Sequence, residues 1–195
     1  YVNPFLVNAA SKKRVKHNYY HEAAEKGLLI KNEKGEDYAI LNTSFSAGLL
    51  DLSNPQARQF IKEVIKKEML SSGVSGWMAD FGEALPFDAV LHGEVDAADY
   101  HNAYPEVWAQ LNREVIAEAG LEGEAVFFMR SGFTQAPQHA TLFWLGDQLT
   151  GWRAEDGIKN AVTGLLSSGM SGFSLNHSDI GGYTATTLPH VPLPG

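Results

Sequence analysis

The stretch ATLFWLGDQLTGWRAEDGIKNAVTGLLSSGMSGFSLNHSD, residues 140–179, decides the reading of the fold. ATLFWLGD (140–147) is an almost unbroken apolar run that closes on Asp147. AEDGIKNAVTGLLSSG (154–169) reads as a helix with acids in its first turn, where the positive end of the helix dipole favours them. MSGFSLNHSD (170–179) reads as a second strand, ending near Asp179. Strands that are apolar on both faces belong to parallel sheets covered on both sides by helices.

The same alternation continues upstream. EAVFFMRS reads as a strand ending at Arg130, and VSGWMAD as a strand ending at Asp80. Between them, DAADYHNAYPEVWAQLNREVIAEAG is helical from about Ala97, with Pro105 as a kink or restart. DLSNPQARQFIKEVIKKEMLSSG carries a helix signature: Ser53 or Asn54 caps it, Pro55 sits in the first turn, and Phe60, Val64 and Met69 fall near one face. LLIKNEKGEDYAIL reads as a hairpin turning at residues 33–36, NYYHEAAEKG as a helix stopped by Gly27, and YVNPFLV as a short buried strand. The polar residues Asp80, Arg130, Asp147 and Asp179 all collect where strands finish, which is where a (β/α)8 barrel builds its active site. The expected fold is therefore α/β, part of a TIM barrel. About five barrel strands fit, fewer than eight, and both ends look cut. Residues 1–195 are expected to be one partial catalytic barrel domain, a fragment of a longer protein, with no second domain visible.

Composition narrows the function classes. The chain has 44% hydrophobic residues and a net charge of −8. Nucleic acid is an unfavoured partner, because neutralising phosphates takes clustered Lys and Arg. The basic clusters Lys12-Lys13-Arg14 with Lys16, and Lys66-Lys67, read as solvated faces. There is no cysteine, so disulfides, thiolate metal sites and cysteine nucleophiles are excluded, and a cytoplasmic location fits. No apolar run reaches membrane-spanning length. His92, His101, His139 and His177 lack metal-ligand spacing, and no metal or cofactor is expected. Asn42-Thr43-Ser44 and Asn176-His177-Ser178 match the glycosylation triplet by chance.

Two carboxylates that end different strands of one sheet can face one cavity. Glycoside hydrolysis needs such a pair: one attacks the anomeric carbon or activates a water, and the other protonates the leaving oxygen. Asp80 and Asp147 are the candidates, with Arg130 to balance charge or bind hydroxyls. Leu145 and Trp144 precede Asp147, so partial desolvation is expected to adapt it to acid work. Trp77, Phe81, Trp144 and Trp152 offer faces for a sugar ring, although core packing is the better account of each taken singly.

GWMADFGE (76–83), FFMRSGFTQ (127–135), WLGDQ (144–148) and HSDIGGY (177–183) together resemble glycoside hydrolase family 31, and most closely its sulfoquinovosidase branch. The resemblance runs from Tyr1 to about Thr184. It implies a retaining α-glycosidase with Asp80 as nucleophile and Asp147 as general acid/base. It further implies that Arg130 lies near the sugar hydroxyls, that Glu83 and Asp179 contact or support the sugar, and that Tyr183 helps bind a sulfonate. Cleavage of α-sulfoquinovosides (sulfoquinovosyl glycerol or diacylglycerol) is the implied activity. An α-glucosidase acting on an unsulfonated sugar is the alternative, and an inactive fragment or carbohydrate-binding relic a third. Other α-glucosidases of the family usually read Trp-x-Asp-Met-Asn-Glu at the first motif, where this chain has Asp80-Phe81-Gly82-Glu83. Sulfonate contacts from a Gln, an Arg and a Trp are expected upstream of Tyr1, and a sugar-binding His beyond Gly195. The ending ATTLPHVPLPG departs from the branch's wording.

Overall fold

The structure is a computed structural model that describes residues 1–8, 17–42 and 45–184. The basic cluster around Lys12, part of the Asn42 triplet and the Pro-rich ending lie outside the described residues. The chain divides into two compact units, Tyr1–Thr141 and Leu142–Gly195.

The first unit opens with a split. Val2 bridges in parallel to Ala79, whereas β1 (Phe5–Val7) pairs antiparallel elsewhere, so YVNPFLV is two segments separated at Pro4 and not one strand. Next comes α1 (Tyr19–Glu25), capped by Asn18, whose side chain accepts from His21 N; Gly27 follows with φ +66°. The expected hairpin over residues 28–41 exists only as a bridge from Lys31 to Asp37, while Leu29 bridges to Leu50 beyond it. The regular hairpin lies later, between β2 (Ala39–Asn42) and β3 (Phe45–Leu49), and β1 pairs with the other edge of β3. Ser46 and Gly48 interrupt the apolar run of FSAGL, which hides β3 from a reading based on hydrophobic pattern.

Asn54 is the cap of α2 (Pro55–Glu68), accepting from Gln56 N at 2.9 Å. Ser53 instead donates to Asp51 at 2.6 Å. The buried stripe of α2 is Ala57, Ile61 and Ile65, not Phe60 and Val64, which line a groove of about 560 Å³ with Tyr19 and Leu28. The helix carries apolar residues around a wide arc, and tertiary packing buries the stripe holding both isoleucines.

The strand β4 (Gly76–Met78) leads through α3 (Ala97–Tyr100) and α4 (Tyr104–Glu118) to β5 (Val126–Met129), which pairs with β4 in parallel. Pro105 sits in the first turn of α4, where a missing N–H costs nothing, so it marks a restart and not a kink. Trp108, Leu111, Val115 and Ile116 of α4 are fully buried with Phe127 and Met129 of β5. At the edge of this core, Lys62 of α2 pairs with Glu114 at 3.1 Å and with Glu118, while Lys66 reaches Glu118 at 2.8 Å.

The second unit is one strand–helix–strand turn: β6 (Leu142–Trp144), α5 (Ile158–Met170) and β7 (Asn176–His177), with β6 and β7 parallel. Glu155 and Asp156 precede α5 and do not occupy its first turn; Gly157 (φ +114°) starts it. Asp156 instead accepts from Leu149 N at 3.0 Å, pinning the loop after Asp147. Down α5, Ile158, Val162, Leu166 and Met170 recur every four residues with exposures of 42, 53, 70 and 92%. Among the described residues no helix is long and apolar enough to cross a membrane.

Candidate active site

The last amides of the β4 segment are bonded to two different neighbours. Ala79 N donates to Phe128 O and Asp80 N to Val2 O, each at 2.8 Å. Asp80 is thus set at a strand end, its own amide held by Val2 on one flank and that of the preceding residue by Phe128 on the other.

The chain then turns through two residues with positive φ, Phe81 (+59°) and Gly82 (+110°). The left-handed conformation costs a phenylalanine about 1–2 kcal/mol, so neighbouring contacts must hold it there. They do so at three points. Phe81 N donates to Asp80 Oδ1 at 2.9 Å. Ser131 Oγ donates to Phe81 O at 2.6 Å. The Phe81 ring lies 4.4 Å from the Arg130 guanidinium carbon and stacks on Phe5 at 5.5 Å. Gly82 is needed for its φ and for space, since a Cβ there would stand 2.5 Å from Ser131 Oγ.

Arg130 follows β5 and joins the carboxylates. Its Nη2 is 2.6 Å and its Nε 3.1 Å from Glu83 Oε1, and Nε is 3.4 Å from Asp80 Oδ1. Asp80, Glu83 and Arg130 therefore form one cluster. Trp77 does not join it. Its ring is buried at 4% exposure, its Nε1 donates to Asn112 of α4 at 2.8 Å, and it stacks on Phe127. Three residues before Asp80, it belongs to the layer between sheet and helix, which corrects its assignment as a sugar platform.

In the second unit, β6 ends at Trp144, three residues short of Asp147. Gly146 (φ +80°) turns the chain out of the strand direction, and Asp147 is exposed, so the expected desolvation by Leu145 and Trp144 is not met. Trp144 is itself buried at 3% exposure and presents little face to a ligand. The backbone of the loop carrying Tyr183 is bonded to the one carrying Asp147: Tyr183 N donates to Gln148 O at 2.7 Å, and Thr150 N to Thr184 O at 2.8 Å. Gly182 (φ +92°) permits this approach, as a Cβ there would meet Leu149 O at 2.8 Å. The Tyr183 side chain is exposed. Gln148, Trp152, Ile158 and Asp179 help line a cavity of about 380 Å³, and Asp179 Oδ2 is buried without a hydrogen-bond partner among the described residues.

Phe81 and Ser131 organise the first cluster, yet pattern reading does not single out Ser131. Its only signal is its place directly after Arg130 at a strand end.

Three comparisons place this chain among known proteins. The model of the Glycosyl hydrolases family 31 TIM-barrel domain matches residues 2–191. A sulfoquinovosidase of Escherichia coli (strain K12) is 46% identical over 184 residues, which are 94% of this chain and 26% of that protein. One of Agrobacterium fabrum is 42% identical over 186 residues, 95% of this chain and 27% of that protein. A solved family 31 sulfoquinovosidase from E. rectale, in complex with an aza-sugar inhibitor, superposes with a TM-score of 0.88 at 41% identity, over 96% of this chain and 27% of that one. The chain spans about a quarter of the length of the curated relatives it matches. The expected α/β class, part of a TIM barrel, agrees with these matches.

Proposed function

Since the chain belongs to glycoside hydrolase family 31, we propose that it carries the two catalytic carboxylates of a retaining α-glycosidase that releases sulfoquinovose from α-sulfoquinovosides such as sulfoquinovosyl glycerol or diacylglycerol. The observation that carries this reading is the cluster at the end of β4, with Asp80 held at its backbone and bridged by Arg130 to Glu83.

In the first step a carboxylate oxygen of Asp80 attacks the anomeric carbon. Asp147 gives its proton to the departing glycosidic oxygen, and a covalent glycosyl-enzyme forms. Asp80 Oδ1 already accepts from Phe81 N and faces Arg130, so Oδ2 is the oxygen for the attack. In the second step Asp147, now a carboxylate, takes a proton from water as that water attacks the same carbon, and Asp80 leaves. Arg130 and Glu83 bind or orient sugar hydroxyls. Asp179 has a buried oxygen, unpartnered among the described residues, that is suited to accept from one. Tyr183, exposed and anchored through its backbone, reaches for the sulfonate. A cytoplasmic site of action is part of this proposal, in keeping with the absence of cysteine.

The test is hydrolysis of 4-nitrophenyl α-sulfoquinovoside and α-glucoside by the full-length protein, with the first-formed sugar anomer read by NMR. Faster turnover of the sulfonated substrate with release of the α-anomer is expected. Preference for the glucoside would reassign the substrate to an unsulfonated sugar, and release of the β-anomer would overturn the retaining mechanism.

A further inference from the structure

The turn after Asp80 is closed by a residue from a distant part of the chain. Ser131 is buried at 8% exposure, and its hydroxyl donates to the carbonyl of Phe81, 50 residues earlier. The same hydroxyl fills the space beside Gly82 that a side chain would otherwise take. Arg130, its neighbour in sequence, holds the turn by charge: its guanidinium lies on the Phe81 ring and reaches Asp80 and Glu83. Residues 130 and 131 thus clasp residues 80–83 twice, once through a cation and once through a hydroxyl.

Resting on the reading of Asp80 as nucleophile, we propose that Ser131 is a positioning residue for it. Its hydrogen bond fixes the Phe81–Gly82 peptide. A fixed carbonyl keeps Phe81 in its left-handed conformation (φ +59°), and through it the direction of Phe81 N, which holds Asp80 Oδ1, and the tilt of the Phe81 ring, which seats Arg130. Without the hydroxyl the left-handed turn is free to relax, Oδ1 loses its amide, and Oδ2 is no longer aimed. The hydroxyl bonds the turn's backbone at Phe81 O and acts on Asp80 through it, so the loss falls on the rate of the chemical step and not on substrate binding.

The experiment uses the full-length enzyme and an aryl α-sulfoquinovoside. Ser131→Ala is expected to lower kcat about 10- to 100-fold with KM within about threefold, the signature of a misaligned reacting group. Ser131→Thr, which keeps the hydroxyl, recovers most of the rate. In an Arg130→Ala background, adding Ser131→Ala costs less than about twofold more, because both act on the same turn. Phe81→Leu, which keeps the carbonyl but removes the ring, lowers kcat about tenfold and stands in if Ser131→Ala does not fold. Wild-type kcat in Ser131→Ala or in Phe81→Leu overturns the proposal, as does a full additive loss in the Arg130→Ala background. Asp80→Asn is the control. Residual turnover there would sink the nucleophile assignment itself, whereas an inactive Asp80→Asn beside an unimpaired Ser131→Ala would sink only the role of Ser131.

Discussion

The amide of Tyr183 donates to the carbonyl of Gln148 at 2.7 Å, so the tyrosine proposed to meet the sulfonate is anchored one residue away from the proposed acid. The anchor is made by the backbone, and the phenol stays free for a ligand. Tyr183→Phe in the full-length enzyme should therefore fold normally and lose only a hydrogen bond to a charged group. That loss amounts to about 1.5–3 kcal/mol, or roughly 10- to 100-fold in kcat/KM on a sulfoquinovoside. The rate on a glucoside should change by less than about threefold. An equal loss on both substrates would remove Tyr183 from sulfonate recognition.

The two carboxylates should separate by leaving group. Asp80→Asn cannot form the covalent intermediate and should be inactive on every substrate. Asp147→Asn should keep its first step on substrates with good leaving groups, which need little protonation, and lose about 100-fold or more on alkyl glycosides. Equal losses on activated and unactivated substrates would count against Asp147 as the acid.

Trp77 and Asn112 test the core assignment. Asn112→Ala leaves the buried Trp77 indole N–H unpaired, and should cost about 1–3 kcal/mol of stability, read as a lowered melting temperature. KM should be unchanged within about twofold. A large rise in KM at constant stability would restore Trp77 as a sugar contact.

Acid should weaken the strap between α2 and α4. Hydrogen bonds from Lys62 and Lys66 hold the Glu118 carboxyl below its usual range. The folded state then keeps this group ionised at pH values where the unfolded chain has begun to protonate it. The stabilisation is complete above the unfolded value of about 4.3 and is lost as pH falls through the lower folded value. Glu118 is 40% exposed at its side chain, so screening keeps the effect small. The difference in melting temperature between wild type and Glu118→Gln should be present at pH 7, shrink in about 1 M salt and decline as pH falls below about 4.3, through the lower folded value. A difference that stays constant as the pH falls below about 4.3 and the protein is taken to its acid unfolding limit would contradict the ion-pair account.

The apolar row on α5 makes a prediction about the 195-residue polypeptide alone. Leu166 and Met170 are 70 and 92% exposed, and a large exposed patch of this kind favours association. The isolated chain should self-associate and bind a hydrophobic dye, and Val162→Lys with Leu166→Lys should reduce both. A monodisperse, dye-silent wild-type chain would dispose of this idea.

What could be read from sequence follows from where the signals are local. The α2 and α4 helices are legible because Asn54, Pro55 and Pro105 mark their starts within a few residues. The strand ends at Asp80 and Arg130 are legible because apolar runs stop there. β3 is not, since Ser46 and Gly48 break the pattern that tertiary pairing completes. Nor is the buried stripe of α2, because the choice between Ile61 with Ile65 and Phe60 with Val64 is made by tertiary packing and not by the helix itself. The resemblance named the charged residues of the site. Ser131 escaped because its partner is a carbonyl 50 residues away, exposed to it only by the left-handed turn at Phe81.

The paired donation at the end of β4 bears on isotope labelling. The amides of Ala79 and Asp80 donate to opposite flanking segments, so deuterium can enter both positions together only when the contacts to Phe128 and to Val2 open. An event confined to one flank would label one amide and leave the other protected. The two neighbouring amides thus act as a two-channel recorder of which side of the nucleophile's strand has come loose, with the side-chain torsions of Asp80 as the motions that leave no trace.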